Sequence, residues 1–188
     1  MQSGIWERRR YASPVRLRAF RWRIVLPLAL ALVVAISAAV FVFPSTGAVT
    51  HADAVVFFDD GTGVRLGTAI GLIRAGAADT LVISYRPDRP QDCRSDLGAT
   101  TVICFNPSPD NTRGEAQRIG AIARDHGWTS LIFVSDTPHL FRARILLERC
   151  FSGTLTAVKS SVTAIDWPIR VAYEWAATAR TLTTSRSC

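Results

Sequence analysis

The chain has 188 residues, 48% apolar and 20% charged, which excludes a disordered polymer and supports one hydrophobic core. Its formal charge of +7 is concentrated in residues 1–23, where seven arginines face a single glutamate, so the remaining 165 residues carry 15 basic and 14 acidic groups. A nucleic-acid reader spreads basic surface over its folded part, and this chain does not.

Residues 24–43 run without a charge, and Ser37 is the only hydroxyl among them. At 1.5 Å per residue a helix of that length reaches about 30 Å, one hydrocarbon core. Pro27 falls in the first turn, where a missing N–H costs little, and Trp22 and the arginines before it sit where interfacial anchors belong. The basic residues 1–23 are therefore expected to stay cytoplasmic, with everything after Pro44 extracytoplasmic. A cleaved signal peptide is the competing expectation. Its apolar region is usually about 7–15 residues and ends in small residues, whereas this run ends Phe41-Val42-Phe43-Pro44. A buried core helix would need cover on every side.

Residues 44–52 read as a linker to an outer domain over 53–188. There, short apolar runs alternate with helical patterns. Residues 54–58 have the continuous apolar character of a buried strand and lead into Asp59-Asp60-Gly61-Thr62-Gly63. Leu66, Ala69, Ile70 and Ile73 mark one face of a helix over 65–75, closed by Gly76. Residues 80–84 form a second strand and 85–101 a long polar loop. Residues 102–105 are either a minor strand or the end of that loop. A helix opens near Asn111 and runs to about His126 with Ile119, Ile122 and Ala123 inward. Residues 130–134 are the fourth strand. Ser135-Asp136-Thr137-Pro138 then has the form of a helix start, with a capping side chain before proline at the first position, for a helix to about Cys150. A weaker strand at 154–158 and a last helix from Asp166 to about Leu182 follow.

Charge-poor strands alternating with helices predict an α/β fold. It is a three-layer sandwich with a mainly parallel sheet of about five strands, preceded by one transmembrane helix. In such sheets the ligand site lies beyond the carboxyl ends of the strands.

The four cysteines, Cys93, Cys104, Cys150 and Cys188, form no Cys-x-x-Cys pair and match no zinc spacing. An oxidising compartment predicts disulfides. Cys93 and Cys104 bracket a polar loop, so local closure pairs them and leaves Cys150 for Cys188. Free buried thiols in a cytosolic chain are the alternative.

The strongest chemical signal is the run from Val134 to Ala143. His139 and Arg142 are three apart and share a helix face. A histidine in a first turn is kept neutral by the helix dipole, and Arg142 offers a planar fork to a carboxylate or phosphate. The structural alternative pairs Arg142 with Glu148 or Asp136. Thr112 and Glu115 have capping-box spacing, and a helix N-terminus is also a place for anions. Asp59-Asp60-Gly61-Thr62 invites comparison with haloacid-dehalogenase phosphatases, but Phe58 stands where their nucleophilic aspartate would be, and a turn is the simpler role. Ser135 is outside any Gly-x-Ser-x-Gly elbow, so a serine hydrolase is not expected.

In order, Arg65, Thr112, Glu115, Ser135, His139 and Arg142 over residues 53–158 resemble the YdcF-like family of envelope-associated bacterial proteins, most specifically at His139-x-x-Arg142-Ala143. The first turn departs from the family's glycine-rich form, Ser84-Tyr85-Arg86 replaces Ser-Gly-Gly, and Thr112 and Glu115 are one residue further apart than usual. The resemblance implies His139 and Glu115 as acid/base residues. It implies a ligand site from Asp59, Asp60, Arg65, Ser84, Asn111, Thr112, Ser135 and Arg142, taking an anionic, phosphorylated or nucleotide-like envelope ligand. It names no cofactor. A non-catalytic binding or scaffold protein is the other expectation, because the altered turns crowd a phosphate cradle.

Overall fold

A computed structural model of the chain describes residues 14–58, 63–85, 93, 96–161, 167–184 and 186–188, with side chains from residue 22 onward. Asp59 and Asp60 lie outside the described residues. Two compact units are present, Met1–Ser37 and Ala38–Cys188.

The first unit contains helix α1, Pro14–Ser37. It begins before the apolar run, so Pro27 lies inside it and not in its first turn. Residues Trp22–Val42 are long and apolar enough to cross a membrane. The last turn of that stretch, Ala38–Val42, is π-helical and belongs to the second unit.

The second unit is a parallel sheet of β1 (Ala54–Phe57), β2 (Thr80–Ser84), β3 (Thr101–Phe105), β4 (Ser130–Asp136) and β5 (Thr154–Ser160), in the order β3-β2-β1-β4-β5. The helices are α2 (Val64–Arg74), α3 (Thr112–Asp125), α4 (Leu140–Cys150) and α5 (Trp167–Thr184). The ambiguous run at 102–105 is a full strand, and the fourth and fifth strands extend beyond their apolar cores, to Asp136 and Ser160.

The continuous apolar character of β1 has a direct cause. Ala54, Val56 and Phe58 pack into the cluster under α3 and α4, while Val55 and Phe57 pack with Ala69 and Ile73 of α2 on the other face. A strand buried on both faces has no place for an alternating polar residue. Ile119, Ile122 and Ala123 of α3 point inward as their spacing predicts. α3 crosses close to the end of α4 at Gly120, where a Cβ would come within 2.3 Å of the Cys150 carbonyl oxygen. Only glycine fits there.

Two local starts differ from the capping patterns in the sequence. The cap of α3 is Asn111, whose Oδ1 accepts from Arg113 N at 3.0 Å and Gly114 N at 3.1 Å. Thr112 and Glu115 therefore form no capping box. After β4 the strand continues through Asp136, a turn follows, and α4 opens only at Leu140. Pro138 thus sits in the turn, and His139 is the residue before the helix.

The cysteines pair as Cys93–Cys104 and Cys150–Cys188, with Cα separations of 6.0 and 4.8 Å. The second bridge ties the chain beyond α5 to the end of α4. At the amino ends of the strands, Asp53 accepts from Thr129 N, Ser130 N and Ser130 Oγ at 2.8, 2.8 and 2.9 Å, clamping the start of β1 to that of β4. The Thr129 amide bond leads in holding its carboxyl below the usual range, against the opposing effect of burial.

Candidate functional site

Strand order reverses between β1 and β4, which leaves a crevice beyond their carboxyl ends, the standard ligand position of an open parallel sheet. A cleft of about 1050 Å³ lies there. Arg65, Asn111, Thr112, Glu115, His139 and Arg142 all line it, brought from α2, the opening of α3, the β4–α4 turn and the first turn of α4.

His139 is the centre of the arrangement. Its ring is 6% exposed, tilted against Phe58 at 5.9 Å between centroids. Nδ1 lies 2.8 Å from Ser135 Oγ and 3.8 Å from Asp136 Oδ1, and Nε2 lies 3.4 Å from Thr112 Oγ1. Burial chiefly, and then Arg142, Arg65 and Arg170, push its pKa well below the ordinary histidine value. The ring is neutral at pH 7, one nitrogen held from behind by Ser135 and the other turned to the cleft. Ser135 is fully buried and does not reach the cleft, so its hydroxyl orients His139 and touches no ligand.

The arginines are gathered but not idle. Arg65 donates through Nη1 to Phe58 O at 2.9 Å and through Nη2 to Asp136 Oδ1 at 2.7 Å. Arg170 of α5 pairs with Asp136 Oδ2. Arg142 donates to Glu174 from Nε and Nη2, at 2.7 and 2.9 Å, and from Nη1 to Thr112 Oγ1 at 3.2 Å. Burial works against the Arg142 charge, and the Glu174 carboxylate more than offsets it, raising its pKa. The partner of Arg142 is thus neither Glu148, which pairs with Arg144 at 2.7 Å, nor Asp136.

Glu115 is buried in the cleft wall and accepts from Ser84 Oγ at 2.7 Å. Ser84 thereby supports Glu115 from behind, and Ser84 itself does not line the cleft. Asp136, Arg170 and Glu174 complete the site although their pattern pointed elsewhere. Arg170 and Glu174 are four apart and suggest a pair within one exposed helix face. Asp136 resembles a helix cap. The available signal was the spacing of the two charges on the last helix.

No protein-family model matches the chain, and no curated protein matches it. Among solved structures, the apo-structure of 2-octenoyl-CoA carboxylase reductase CinF from a Streptomyces species is similar at 16% identity and a TM-score of 0.35, over 73% of this chain and 34% of that one. A crotonyl-CoA carboxylase/reductase is similar at 18% identity and a TM-score of 0.31, over 74% of this chain and 40% of that one. The chain spans about a third to two fifths of the length of these proteins. Similarity at this level carries nothing about function.

Proposed function

We propose that the chain is a membrane-anchored, extracytoplasmic protein of YdcF-like type whose switch-point cleft takes an anionic, phosphorylated or nucleotide-like cell-envelope ligand. The observation that carries this is the meeting of Arg65, Arg142 and Arg170 around a neutral His139 beyond the ends of β1 and β4. Guanidinium forks match phosphate oxygens, and a neutral imidazole with one nitrogen facing the cleft can accept a proton from a bound group. Glu115 is the second group on the cleft wall able to exchange a proton. The arginine-rich residues 1–23 ahead of an apolar span support the cytoplasmic placement of the N-terminus, and two disulfides in the folded unit support an oxidising compartment around it.

A second reading, binding without turnover, is favoured by the carboxylates. Asp136 and Glu174 already occupy the arginines, and Ser135 is out of reach as a nucleophile. The full-length chain in detergent, screened against phosphorylated envelope precursors and nucleotides, separates the two. Turnover abolished in His139→Ala supports catalysis. Saturable binding lost in Arg142→Ala without turnover supports the second reading, and neither response removes both.

A further inference from the structure

We propose that the cleft holds a second anion subsite, formed by Arg113 and Arg180, and that its ligand is elongated with an anionic group at each end, which rests on the anionic ligand proposed above. Five arginines line the cleft, and they fall into two sets. Arg65, Arg142 and Arg170 stand around His139, and each is held by Asp136 or Glu174. Arg113 and Arg180 have no carboxylate within ion-pair distance among the described residues, and Asp110, which also lines the cleft, pairs with neither. Arg113 donates through Nη2 to Cys188 O at 3.4 Å, and its Nε is buried without a hydrogen-bond partner. Most of its five N–H donors are thus unanswered among the described residues. Arg180 is exposed, and its guanidinium donates to none of them. Guanidinium forks without a carboxylate are matched by the oxygens of a phosphate or a carboxylate.

The two sets lie at different ends. α4 and α5 run side by side, with Arg142 meeting Glu174 near their starts and Arg149 donating to Thr181 O near their ends. Arg180 is one turn before the end of α5, and Arg113 touches Cys188 beyond that end, so both stand away from His139. At 1.5 Å per residue, Arg180 is about 9 Å along α5 from Glu174 and about 15 Å from Arg170. Between the ends the lining is apolar, with Tyr173, Ala176 and Ala177 on α5 and Leu146 on α4. Tyr173 is 63% exposed, and Arg142 Cζ is 5.9 Å from its ring centroid. The groove therefore presents charge, apolar surface and charge in succession. A single phosphate or a compact diphosphate reaches one end only. At about 1050 Å³ the cleft stands at the large end of small-molecule sites, with room for both anionic groups and the segment that joins them.

Calorimetry on the full-length chain in neutral detergent tests this with three probes. Octanediol bisphosphate spans the groove, octanediol monophosphate lacks the second charge, and ethanediol bisphosphate has both charges but is too short. The first should bind about tenfold tighter than either of the others. Arg180→Gln, at an exposed position, should melt as the parent does and bring the long bisphosphate to within about twofold of the monophosphate. Arg113→Gln should narrow the ratio in the same way. Octanoic acid phosphorylated at its far end carries a carboxylate in place of the second phosphate, and the tighter of the two long probes identifies the second group. A ratio near one in the parent chain, with monophosphate binding lost in Arg142→Ala, overturns the second subsite and leaves the anionic-ligand reading intact. A tenfold ratio that survives in both the Arg113 and the Arg180 variant overturns it as well. Binding of none of the probes overturns the anionic-ligand reading and the second subsite with it.

Discussion

Arg142 of α4 and Glu174 of α5 are joined by two parallel hydrogen bonds, at 2.7 and 2.9 Å, with side chains only 11% and 6% exposed. At that depth neither charge tolerates isolation, and deleting one partner of a buried pair typically costs about 3–5 kcal/mol. Glu174→Gln retains an acceptor, so a smaller loss of about 1–2 kcal/mol is expected. It also frees the Arg142 fork. The variant should melt lower than wild type and bind inorganic phosphate more tightly, both measurable by calorimetry. A lower melting point with unchanged phosphate binding would make the pair purely structural.

His139 predicts the response to acid. Its folded pKa is depressed, so below the unfolded value of about 6.5 the unfolded chain takes up a proton that the native ring does not. Stability is present above that pH and is lost as pH falls toward the folded pKa. From pH 6.5 to 5.5 this one group should remove about 1 kcal/mol. Urea titrations of wild type and His139→Gln, compared as a difference between the two pH values, isolate it. Equal slopes in both proteins would show that the native ring is protonated.

The start of α3 separates capping from chemistry. Asn111→Ala removes the acceptor of two backbone N–H groups and should cost about 1 kcal/mol. Glu115→Gln leaves an oxygen for Ser84 Oγ, so its stability should change by no more than about 1 kcal/mol, the scale of one buried hydrogen bond. Any proton-transfer role of Glu115 would be lost with it. Denaturant midpoints check the first two expectations, and turnover, once a substrate is in hand, the third.

The bridge Cys150–Cys188 closes a loop with a sequence separation of 38, worth about 4 kcal/mol by the chain-entropy relation. Cys188→Ser should lower the denaturation midpoint by that order while leaving Cys93–Cys104 intact in non-reducing peptide maps. Four free thiols in the wild-type map would defeat both bridges.

The fold was largely legible because its signals are periodic. β1 is apolar throughout since it is covered on both faces, and α3 shows its inward stripe at helical spacing. The cysteine pairing followed from loop closure. Arg65, Glu115, His139 and Arg142 do meet in one cleft, as expected of residues that follow strand ends in a parallel sheet. What could not be read is which partner a charge finds. Thr112 and Glu115 have capping spacing, but Asn111 lies one residue earlier and takes the free amides. Glu174 is the decisive case, because its partner lies 32 positions away on another helix, and no local pattern encodes that.

The clamp between Asp53 and Ser130 joins residues 77 positions apart, and it marks where the central strand gains its second neighbour. While the chain is being made, β1 can pair with β2 early, but its other side stays open until residues 130–136 have emerged. The most apolar strand of the molecule therefore spends that interval as an unprotected edge, the kind of surface that recruits other chains. Growth of the nascent chain from β2 to β4 sets the length of that exposure, and a holding factor would have its greatest effect during that interval.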